Sequence, residues 1–442
     1  MHLGCARNQI DSEVILGRLA ESGCLLCADL SDAEVAVVNT CAFIGPAREE
    51  SRAAIRDLLE RKRRGELRAV LVAGCLASRY SEAIAEEFPD VDAVVPISDY
   101  VDIGRVVRRI AAGRPGPRFL QAGGPKGPSS DRVRLLSTPP SYAYLRLSEG
   151  CDHACTFCAI PAIRGKMRSK PLETIAEEAR DLVSLGVREL VLVAEDSTGY
   201  GRDLYGRPRL SEAIEAAASA DGVAWVRVMY AYPNAFPWDV ARTIREHPRV
   251  VEYLDIPIQH IADGVLRSMR RASSGSKVRE ILERLRAEVP GIAIRTTLLV
   301  GFPGETESDF EELLAFVREF RFERLGCFAY SPEEGTAAVG LPGEVPPEVG
   351  ASRRDAILLA QREVHAARNR SLVGSEVEVL LDGREPEGRW IGRTRADAPE
   401  VDGAVRLRGE SLRPGDLLHA RILGVEGDGY DLVAEAVGAA VP

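Results

Sequence analysis

The middle half of this 442-residue chain repeats one pattern, in which a short apolar run rich in β-branched residues is followed by a stretch with helical apolar spacing. Alternating βα units of this kind build parallel sheets. A closed barrel of this type needs eight strands, so fewer units predict an open (β/α) barrel. The repeat therefore predicts an α/β fold, a partial (β/α)6 barrel over residues 142–370. Its six strand-like runs lie at 142–147, 189–194, 225–231, 251–256, 292–300 and 324–330.

The segments on either side of the repeat predict two further domains, because the chain is too long for one core. Residues 1–111 contain buried-strand patterns at 35–39 and 69–73 with amphipathic stretches between them, which predicts an open parallel α/β domain. Residues 371–437 contain short strand patterns separated by glycine turns, which predicts a small antiparallel β-barrel. Residues 112–141 are rich in Gly, Pro and Ser and are predicted to be a linker.

The composition narrows the possible functions. No apolar run is long enough to cross a bilayer, and no secretory signal pattern is present, so we expect a cytoplasmic protein without membrane association. The net charge is −10, whereas a protein that binds nucleic-acid phosphates is usually basic. Nine cysteines in a reducing compartment indicate metal ligation plus spare thiols rather than disulfides.

Three cysteines, Cys151, Cys155 and Cys158, form a C-x3-C-x2-C motif directly after the first strand of the repeat. Barrel enzymes carry their chemistry on loops at the carboxyl ends of strands. Structural zinc sites close with four ligands, and this loop offers no fourth Cys or His at ligand spacing. Three thiolates suit a 4Fe–4S cluster with one iron left open. A coincidental cysteine-rich loop is the alternative.

A second set, Cys5, Cys41 and Cys75, is dispersed along the chain, but each residue follows or adjoins a predicted strand of the N-terminal domain. Residues just beyond the carboxyl ends of parallel strands converge in one crevice. These cysteines can therefore ligate a second cluster, and buried structural thiols are an equally good interpretation of the residues alone. Only four residues precede Cys5, so we expect the first strand to be short or absent. The other thiols are interpreted as non-ligands, namely Cys24, Cys27 and Cys327.

The segment CDHACTFC, with Phe157 before its last cysteine, resembles the signature of radical S-adenosylmethionine enzymes. The resemblance implies that the open iron binds S-adenosylmethionine, whose reductive cleavage gives a 5′-deoxyadenosyl radical that abstracts hydrogen from a carbon atom. No side chain is then expected to be catalytic, since the cofactors carry the hard chemistry. Cofactor contacts are predicted at Phe157 and at residues that follow later strands: Glu195, Asp196, Gln259 and Gly301.

Two basic residues follow the motif, Arg164 and Arg168, and they could screen an anionic cluster, bind a carboxylate or form a solvated loop. His260 is interpreted as a structural histidine, because a radical mechanism needs no general base.

The segments LGCARNQIDSE, VNTCAFI and AGCLASRY are similar to the N-terminal motifs of methylthiotransferases. In that family three such cysteines hold an auxiliary 4Fe–4S cluster. The resemblance thus implies two 4Fe–4S clusters, one on each cysteine set, together with S-adenosylmethionine and an electron donor such as flavodoxin or ferredoxin. One cluster would serve radical formation and the other would handle sulfur.

Methylthiotransferases act either on an adenosine of tRNA or, in the RimO type, on the β-carbon of an aspartate in small-subunit ribosomal protein twelve. Four segments of this chain resemble the RimO type. The implied substrate is that ribosomal protein, and the tRNA enzyme is the alternative. A non-enzymatic two-cluster electron carrier or scaffold is a third possibility. The four segments are DIPIQH, MRR at 269–271, FAYSPEEGT at 328–336 and DAPEVDG at 397–403.

The C-terminal segment resembles a TRAM domain, which often binds RNA. Residues 371–442 contain fourteen acidic residues, eight Arg and no Lys, a net charge of −6. A phosphate-binding barrel should be basic, whereas an acidic barrel suits a basic ribosomal protein. The charge predicts the ribosomal protein as the partner, possibly on the ribosome, and direct RNA binding is not expected.

Overall fold

The computed structural model describes residues 1–114, 131–271, 273–409 and 411–437. It confirms the predicted fold class, with a parallel N-terminal α/β sheet, an open six-stranded sheet and a closed C-terminal barrel. The middle of the predicted linker 112–141 lies outside the described residues, and the domain boundaries stay predictions. Within the described part of the chain, no helix has the length and apolar character that crossing a membrane requires.

The N-terminal sheet has the strand order β1-β2-β3, and all its pairs are parallel. Every residue of the central strand β2 is buried. Val70 and Val72 pack on one face against the helix that contains Ile55, and Leu71 packs on the other against the helix that contains Ile15. The continuous apolar run of β2 is thus explained by helices on both faces. The elements are β1 (Val35–Thr40), β2 (Ala69–Gly74), β3 (Ala93–Val95), α1 (Ala6–Glu21), α2 (Gly45–Arg63), α3 (Cys75–Arg79), α4 (Ser81–Glu87) and α5 (Ile103–Ala111).

A short piece of strand precedes α1, as the sequence predicts. His2 pairs in parallel with Asn39 on β1 through an isolated bridge. The Leu3 amide donates to the Asn39 carbonyl at 3.0 Å, and the Asn39 amide donates to the Met1 carbonyl at 2.9 Å. These bonds extend the sheet by one parallel position, so Cys5 follows a strand end just as Cys41 and Cys75 do.

The central domain contains a six-stranded parallel sheet, in which the strands β4, β7, β8, β9, β10 and β11 lie side by side in chain order. The two edge strands, β4 and β11, do not pair with each other, so the sheet is open. All six predicted runs form strands. Helices pack on its outer face over one large apolar core. The strands are β4 (Tyr142–Arg146), β7 (Glu189–Val193), β8 (Trp225–Val228), β9 (Val250–Asp255), β10 (Ala293–Val300) and β11 (Arg324–Ala329), with a separate two-stranded pair β5 (Ser148–Glu149) and β6 (Arg168–Ser169).

The helices of this domain alternate with its strands, which is the arrangement that the βα repeat predicts. They are α6 (Ile160–Arg164), α7 (Leu172–Ser184), α8 (Arg202–Tyr205), α9 (Leu210–Ala218), α10 (Trp238–Glu246), α11 (Asp263–Ser268), α12 (Gly275–Glu288) and α13 (Glu307–Phe320). A long helix, α14 (Pro347–Ser371), then leads to the C-terminal barrel.

The C-terminal barrel closes in the order β12-β13-β14-β16-β15. It is antiparallel, as predicted, except that β14 and β16 are parallel. The exception arises from the way the barrel closes. β15 pairs antiparallel with both β12 and β16, so β16 lies between β15 and β14 and runs parallel to β14. The strands are β12 (Glu376–Arg384), β13 (Trp390–Arg393), β14 (Val405–Arg408), β15 (Leu417–Glu426) and β16 (Asp431–Ala436).

The loop 397–403 of the C-terminal barrel packs against the inner face of the central sheet. Glu400 accepts hydrogen bonds from the hydroxyls of Tyr142 at 2.8 Å and Tyr144 at 3.2 Å. Asp402 accepts from the Tyr253 hydroxyl at 2.7 Å. In each case the buried tyrosine hydroxyl has a carboxylate as its hydrogen-bond partner. These contacts fix the barrel beneath the central sheet.

Several acidic residues of the C-terminal barrel are held in ion pairs, two of them with cations of the central domain, so the net charge of this segment does not describe the surface that the barrel presents to a partner. Asp397 pairs with Arg324 of β11, and Asp402 lies 3.4 Å from Arg295 of β10. Asp382 pairs with Arg393 at 2.7 Å. Counting residues of one segment missed these pairs, because their cations come partly from the central domain. Charge alone does not indicate the partner of this barrel.

Candidate active site

The cysteines of the C-x3-C-x2-C motif, Cys151, Cys155 and Cys158, are named here the loop triad. They lie on the loop between β5 and α6 at the carboxyl end of the central sheet, and each is partly exposed. The Cys151 amide donates to the Gly165 carbonyl at 3.1 Å. The Thr156 hydroxyl donates to the Ser268 carbonyl at 2.9 Å, which ties the loop to α11. The backbone thus holds the three thiols on one short, anchored loop.

The thiols of the loop triad lie close enough to influence one another. Burial raises the pKa of Cys151 to about 12 and that of Cys158 to about 11. The charges of Asp196, Cys158 and Cys155 raise the pKa of Cys151 further, and the charge of Cys155 raises that of Cys158. Three thiolates in this loop therefore need positive charge beside them. Iron supplies that charge, so the donor set fits an iron–sulfur cluster.

A second group of side chains surrounds the loop triad. His153 Nε2 lies 2.7 Å from an Asp196 carboxylate oxygen, and its ring stacks on Tyr232 with centroids 3.8 Å apart. Arg271 lies over the same Tyr232 ring at 4.1 Å and donates to Cys155 Sγ at 3.9 Å. His153, Tyr232 and Arg271 were not among the residues predicted to contact a cofactor. His153 lies inside the cysteine motif and Arg271 inside the MRR segment, so both belong to segments that resemble known families.

Two of the predicted cofactor contacts lie beside the loop triad. The Phe157 ring packs edge-to-face against the Phe302 ring, with the ring centroids 6.4 Å apart. Asp196 is buried and accepts hydrogen bonds from the Thr198 hydroxyl at 2.5 Å and from the Gly199 amide at 3.2 Å. Asp196 therefore organises its own turn while its other oxygen contacts His153.

The residue Gln259, a further predicted contact, follows β9 in a left-handed conformation with φ of 69°. Its amide donates to the Thr297 carbonyl at 2.9 Å, and the Leu299 amide donates to its carbonyl at 2.8 Å. A non-glycine residue with positive φ is uncommon and is held here by β10. The backbone at Gln259 is thus fixed at the carboxyl end of the sheet.

The residue Gly301, the last predicted contact, serves the packing of α14. Its φ is 70°, and a side chain there would place Cβ 2.9 Å from the Gly350 Cα. The buried Glu305 carboxylate accepts from the amides of Gly301 and Phe302 and lies 3.3 Å from His260 Nε2. The other His260 nitrogen, Nδ1, accepts from the Ala262 amide at 3.1 Å. Both His260 nitrogens therefore have structural partners.

The dispersed cysteines, Cys5, Cys41 and Cys75, are named here the sheet triad. Cys5 caps the start of α1, Cys41 follows β1, and Cys75 begins α3 after β2. All three therefore lie at the carboxyl edge of the N-terminal sheet, as the sequence predicts. A Cβ at Gly4 would lie 3.5 Å from Cys41 Sγ, which shows how closely the Cys5 segment approaches Cys41.

The glycine before Cys75 is required by the sheet. Gly74 has φ of 96°, and a Cβ at this position would lie 2.5 Å from the Thr40 carbonyl oxygen of β1. Only glycine fits such a conformation beside a neighbouring strand. Gly74 thus allows the chain to turn directly from β2 into α3 and to place Cys75 near Cys41.

The thiols of the sheet triad have different electrostatic surroundings. Burial raises the pKa of Cys75 to about 12, and Cys5 and Cys41 raise it further. For Cys5, desolvation also raises the pKa, but Arg7 and Arg164 outweigh it and bring the pKa below its usual value. Cys5 is exposed, whereas Cys41 and Cys75 are buried. Cations are therefore already placed beside this set of thiols.

One of these cations, Arg164, comes from the central domain. Its Nη2 donates to Cys75 Sγ at 3.6 Å and to an Asp11 carboxylate oxygen at 2.6 Å. Its Nη1 donates to Glu149 at 2.9 Å, and its side chain is 2% exposed. Arg164 lies six residues after the loop triad but contacts the sheet triad, so it screens the second set of thiols rather than the first.

The neighbouring residues Glu195 and Asp196 face different triads. Asp196 contacts His153 of the loop triad segment. The Glu195 carboxylate lies 3.6 Å from Arg7 and 3.7 Å from Arg164, beside the sheet triad. Burial raises the pKa of Glu195, and the two arginines oppose that effect. The two predicted cofactor contacts after β7 therefore have separate surroundings.

A further ionic contact joins the domains on another side. Glu333, in the segment FAYSPEEGT, accepts from the Gly45 amide at 2.7 Å at the start of α2. It also pairs with Arg48 and, at 3.3 Å, with Arg79 of α3. An anion at a helix N-terminus is favourable. Glu333 and Arg164 thus hold the N-terminal domain against the central domain at two places near the triads.

Among the described residues, no three His, Cys, Asp or Glu side chains converge as the ligands of a single metal ion would. The ligands of a 4Fe–4S cluster bind separate irons and stand farther apart.

Protein-family models match three segments of the chain. Residues 145–317 match the radical SAM superfamily, residues 1–96 match an uncharacterized protein family named UPF0004, and residues 373–437 match the TRAM domain. The three matches correspond to the central, N-terminal and C-terminal parts of the fold.

Relatives of similar length are found among characterised proteins. A ribosomal protein uS12 methylthiotransferase RimO from Anaeromyxobacter sp. (strain K) is 45% identical and aligns over 99% of this chain and 92% of its own length. Proteins of the same name from Pelotomaculum thermopropionicum and Geobacter sulfurreducens are 44% and 42% identical. Each of these two aligns over 98% of this chain, and over 98% and 97% of its own length respectively.

Among solved structures, the radical S-adenosylmethionine methyltransferase TsrM from Kitasatospora setae is similar in fold. The TM-score is 0.52 at 15% sequence identity, over 73% of this chain and 70% of that chain. At this identity the similarity supports the fold alone.

Proposed function

The chain belongs to the RimO family of radical SAM methylthiotransferases, and from that membership we propose that it methylthiolates ribosomal protein uS12. The reaction would replace a β-hydrogen of one aspartate with a methylthio group. The proposal depends mainly on the presence of two cysteine triads on facing domains. A single triad would hold one cluster and would leave no site for a second cluster that donates sulfur. The names of the relatives favour this substrate over tRNA.

The cofactors of the proposed reaction are a 4Fe–4S cluster on each triad and S-adenosylmethionine. When bound, they supply a 5′-deoxyadenosyl radical at the loop triad and a sulfur-carrying cluster at the sheet triad. Cys151, Cys155 and Cys158 would hold the first cluster. S-adenosylmethionine would lie against predicted contacts at the carboxyl end of the central sheet: Phe157, Glu195, Asp196, Gln259 and Gly301. Cys5, Cys41 and Cys75 would hold the second cluster.

The side chains around the triads would orient and shield these groups. Arg271, 3.9 Å from Cys155 Sγ, would reduce the negative charge of the first cluster. Arg164, 3.6 Å from Cys75 Sγ, would do the same for the second. Hydrogen bonds to cluster thiolates tune the reduction potential, so the two arginines would adjust the two clusters separately.

The partners follow from the proposed chemistry. The substrate protein uS12 would be bound either free or on the ribosome. Cleavage of S-adenosylmethionine consumes an electron, which a low-potential carrier such as flavodoxin or ferredoxin would supply. Free thiols and iron–sulfur clusters require a reducing compartment, so we place the enzyme in the cytoplasm.

The proposal is tested with anaerobically reconstituted enzyme, S-adenosylmethionine and a reductant. Purified uS12 and bulk tRNA are offered in parallel, and both are analysed by mass spectrometry. We expect a methylthio group on a single aspartate of uS12 and none on tRNA. Methylthiolated adenosine instead would keep the chemistry and overturn the substrate. Two formed clusters without any 5′-deoxyadenosine would indicate an electron carrier or scaffold.

A further inference from the structure

The side chain of Arg7 spans the junction between the two triads. It lies two residues after Cys5, at the start of α1. Its Nη1 donates to the Ala194 carbonyl at 2.9 Å, immediately after β7 of the central sheet. Its guanidinium also lies over the Tyr230 ring at 4.4 Å, in the loop after β8. Arg7 therefore starts beside the sheet triad and reaches the carboxyl end of the sheet that carries the loop triad.

The orientation of the Arg7 guanidinium is fixed from three directions. The Ala194 carbonyl and the Tyr230 ring hold it as described, and Glu195 lies 3.6 Å from its Nε. Tyr230 itself has a left-handed backbone with φ of 61°, and its amide donates to Asp255 at 3.1 Å. A non-glycine residue in that conformation is maintained only where its surroundings require it. The ring under Arg7 is therefore held in place by β9.

Most of the donor capacity of Arg7 is unused within the protein. A guanidinium has five N–H groups. Among the described residues, Nη1 donates to the Ala194 carbonyl, the buried Nε faces Glu195, and Nη2 has no hydrogen-bond partner. The side chain is 15% exposed, so a ligand can reach it. Arg7 thus offers a pre-oriented cation with free donors.

Two other arginines that contact the triads already have partners within the protein. Arg164 donates to Asp11 and Glu149 and is 2% exposed. Arg271 donates to the Pro257 carbonyl at 2.5 Å and lies over Tyr232. Among these three arginines of the described chain, Arg7 alone combines exposure with free donors.

We propose that Arg7 binds the side-chain carboxylate of the substrate aspartate and so selects an aspartate for methylthiolation. The inference rests on the proposed function. The reacting β-carbon is bonded directly to that carboxylate carbon, so a cation that holds the carboxylate also places the β-carbon. Hydrogen abstraction and methylthio transfer require this carbon between the two triads, which is where Arg7 lies. A planar guanidinium suits a carboxylate because it can donate two parallel hydrogen bonds.

The nearby Glu195 carboxylate would compete for Arg7, but the distance to Nε is 3.6 Å rather than a hydrogen-bond distance. Glu195 also faces Arg164 at 3.7 Å, so its charge is shared between two cations. Glu195 is therefore a positioning residue for Arg7, and it leaves the remaining donors available.

The test uses reconstituted enzyme with both clusters and a uS12 segment that contains either the target aspartate or asparagine. Wild-type enzyme is expected to bind the asparagine segment roughly tenfold to a hundredfold more weakly, the difference typical of a charge-assisted hydrogen bond. Binding is measured by fluorescence anisotropy in the presence of S-adenosylmethionine. Equal binding of the two segments by wild-type enzyme would overturn the proposal without any variant.

The variant Arg7→Gln is expected to raise KM for the aspartate segment by a similar factor and to bind both segments alike. Arg7→Lys keeps the charge and should retain part of the discrimination. Arg18→Gln, in an exposed pair with Glu21 on the same helix, is the matched control and should behave as wild type. Iron content and substrate-free cleavage of S-adenosylmethionine confirm that each variant is intact.

The outcomes separate this inference from the proposed function. If wild-type enzyme modifies no aspartate of uS12, the proposed function fails and this inference fails with it. If wild-type enzyme modifies the aspartate and Arg7→Gln still discriminates between the two segments, only this inference fails. Loss of discrimination in Arg7→Gln with iron content unchanged supports it.

Discussion

The loop triad and the sheet triad reach similar arrangements by different routes. The thiols of the loop triad are brought together by eight consecutive residues, whereas those of the sheet triad come from three segments aligned by parallel pairing. The loop triad depends on its own backbone and on α11, while the sheet triad depends on β1, β2 and the short segment that pairs with β1 before Cys5. A local motif can therefore be recognised from spacing, and a dispersed one only from the sheet that aligns it.

The two triads also differ in where their neighbouring cations come from. The partly exposed loop triad is contacted by Arg271, from a segment of its own domain. The sheet triad is contacted by Arg164, from the other domain. The sheet triad thus receives one of its two neighbouring cations, Arg164, from the other domain, whereas the cation that contacts Cys155 comes from the domain of the loop triad itself.

The largest expected effect tests the separate role of the loop triad. Cys155→Ala should abolish cleavage of S-adenosylmethionine, because a cluster with two protein ligands loses its defined open iron. The measurement is 5′-deoxyadenosine by chromatography after reduction. Cys327→Ala, which removes a buried thiol of the apolar core, is the control and should keep cleavage. Cleavage at the wild-type rate in Cys155→Ala would show that the loop triad does not hold the radical-forming cluster.

The corresponding change in the sheet triad should separate the two functions. Cys41→Ala is expected to keep cleavage of S-adenosylmethionine and to stop methylthio transfer to uS12, because only the second cluster is lost. Iron content should fall from two clusters to one. If cleavage is lost as well while circular dichroism shows a folded protein, the two triads do not have independent roles.

Removal of the cation between the domains should affect the sheet triad more than the loop triad. Arg164→Met removes one of the arginines paired with the buried Asp11 and the partly buried Glu149, while Arg146 stays paired with both. The loss of such a charge-assisted hydrogen-bond donor costs about 2–3 kcal/mol of unfolding free energy. The measurement is chemical denaturation. Arg52→Met breaks exposed pairs with Glu49 and Glu87 and should cost at most about 1 kcal/mol. Equal effects of the two changes would contradict the role given to Arg164.

The smallest effect concerns a region that belongs to neither triad. Burial lowers the pKa of His365 to about 4, and Arg324 lowers it further. The folded state therefore disfavours the protonated ring, so this contribution to stability is complete above about pH 6.5 and is lost as the pH falls toward 4. The neutral His365 ring stacks on Tyr430 and joins α14 to the C-terminal barrel.

This pH dependence is measured on the cluster-free protein by thermal unfolding between pH 7 and 4. Wild-type protein should lose roughly 2 kcal/mol more stability than His365→Gln over that range. The same loss in both proteins would exclude His365 as its source. Because His365 contacts Arg324 and the C-terminal barrel rather than either triad, the change should leave the comparison of the triads unaltered.

Much of the fold could be predicted from the sequence because apolar periodicity reflects local burial. All six runs of the repeat form strands, and so do the runs at 35–39 and 69–73. The parallel pairing of β14 with β16 could not be predicted, since it depends on how the barrel closes. The pairing of Asp397 with Arg324 was missed for the same reason, because the partners are 73 residues apart.

The residues of the candidate site could likewise be predicted where they are close together in the sequence, and could not where they are far apart. The C-x3-C-x2-C spacing identified the loop triad directly, whereas for the sheet triad the residues alone left two interpretations open. Arg164 was selected because it follows the motif, but the structure places it beside Cys75. Arg7 had no sequence signal of its own beyond its place next to Cys5.

The sequence by itself determined the βα repeat, the three parts of the fold and the grouping of the loop triad, because each depends on residues that are neighbours along the chain. Only the tertiary structure decided which cation faces which triad, and that Glu195 and Asp196 point to different ones. Those arrangements depend on how α1 packs against the central sheet, where Ile10 lies among Tyr142 and Tyr144. Such packing joins residues more than a hundred positions apart, so no local pattern encodes it.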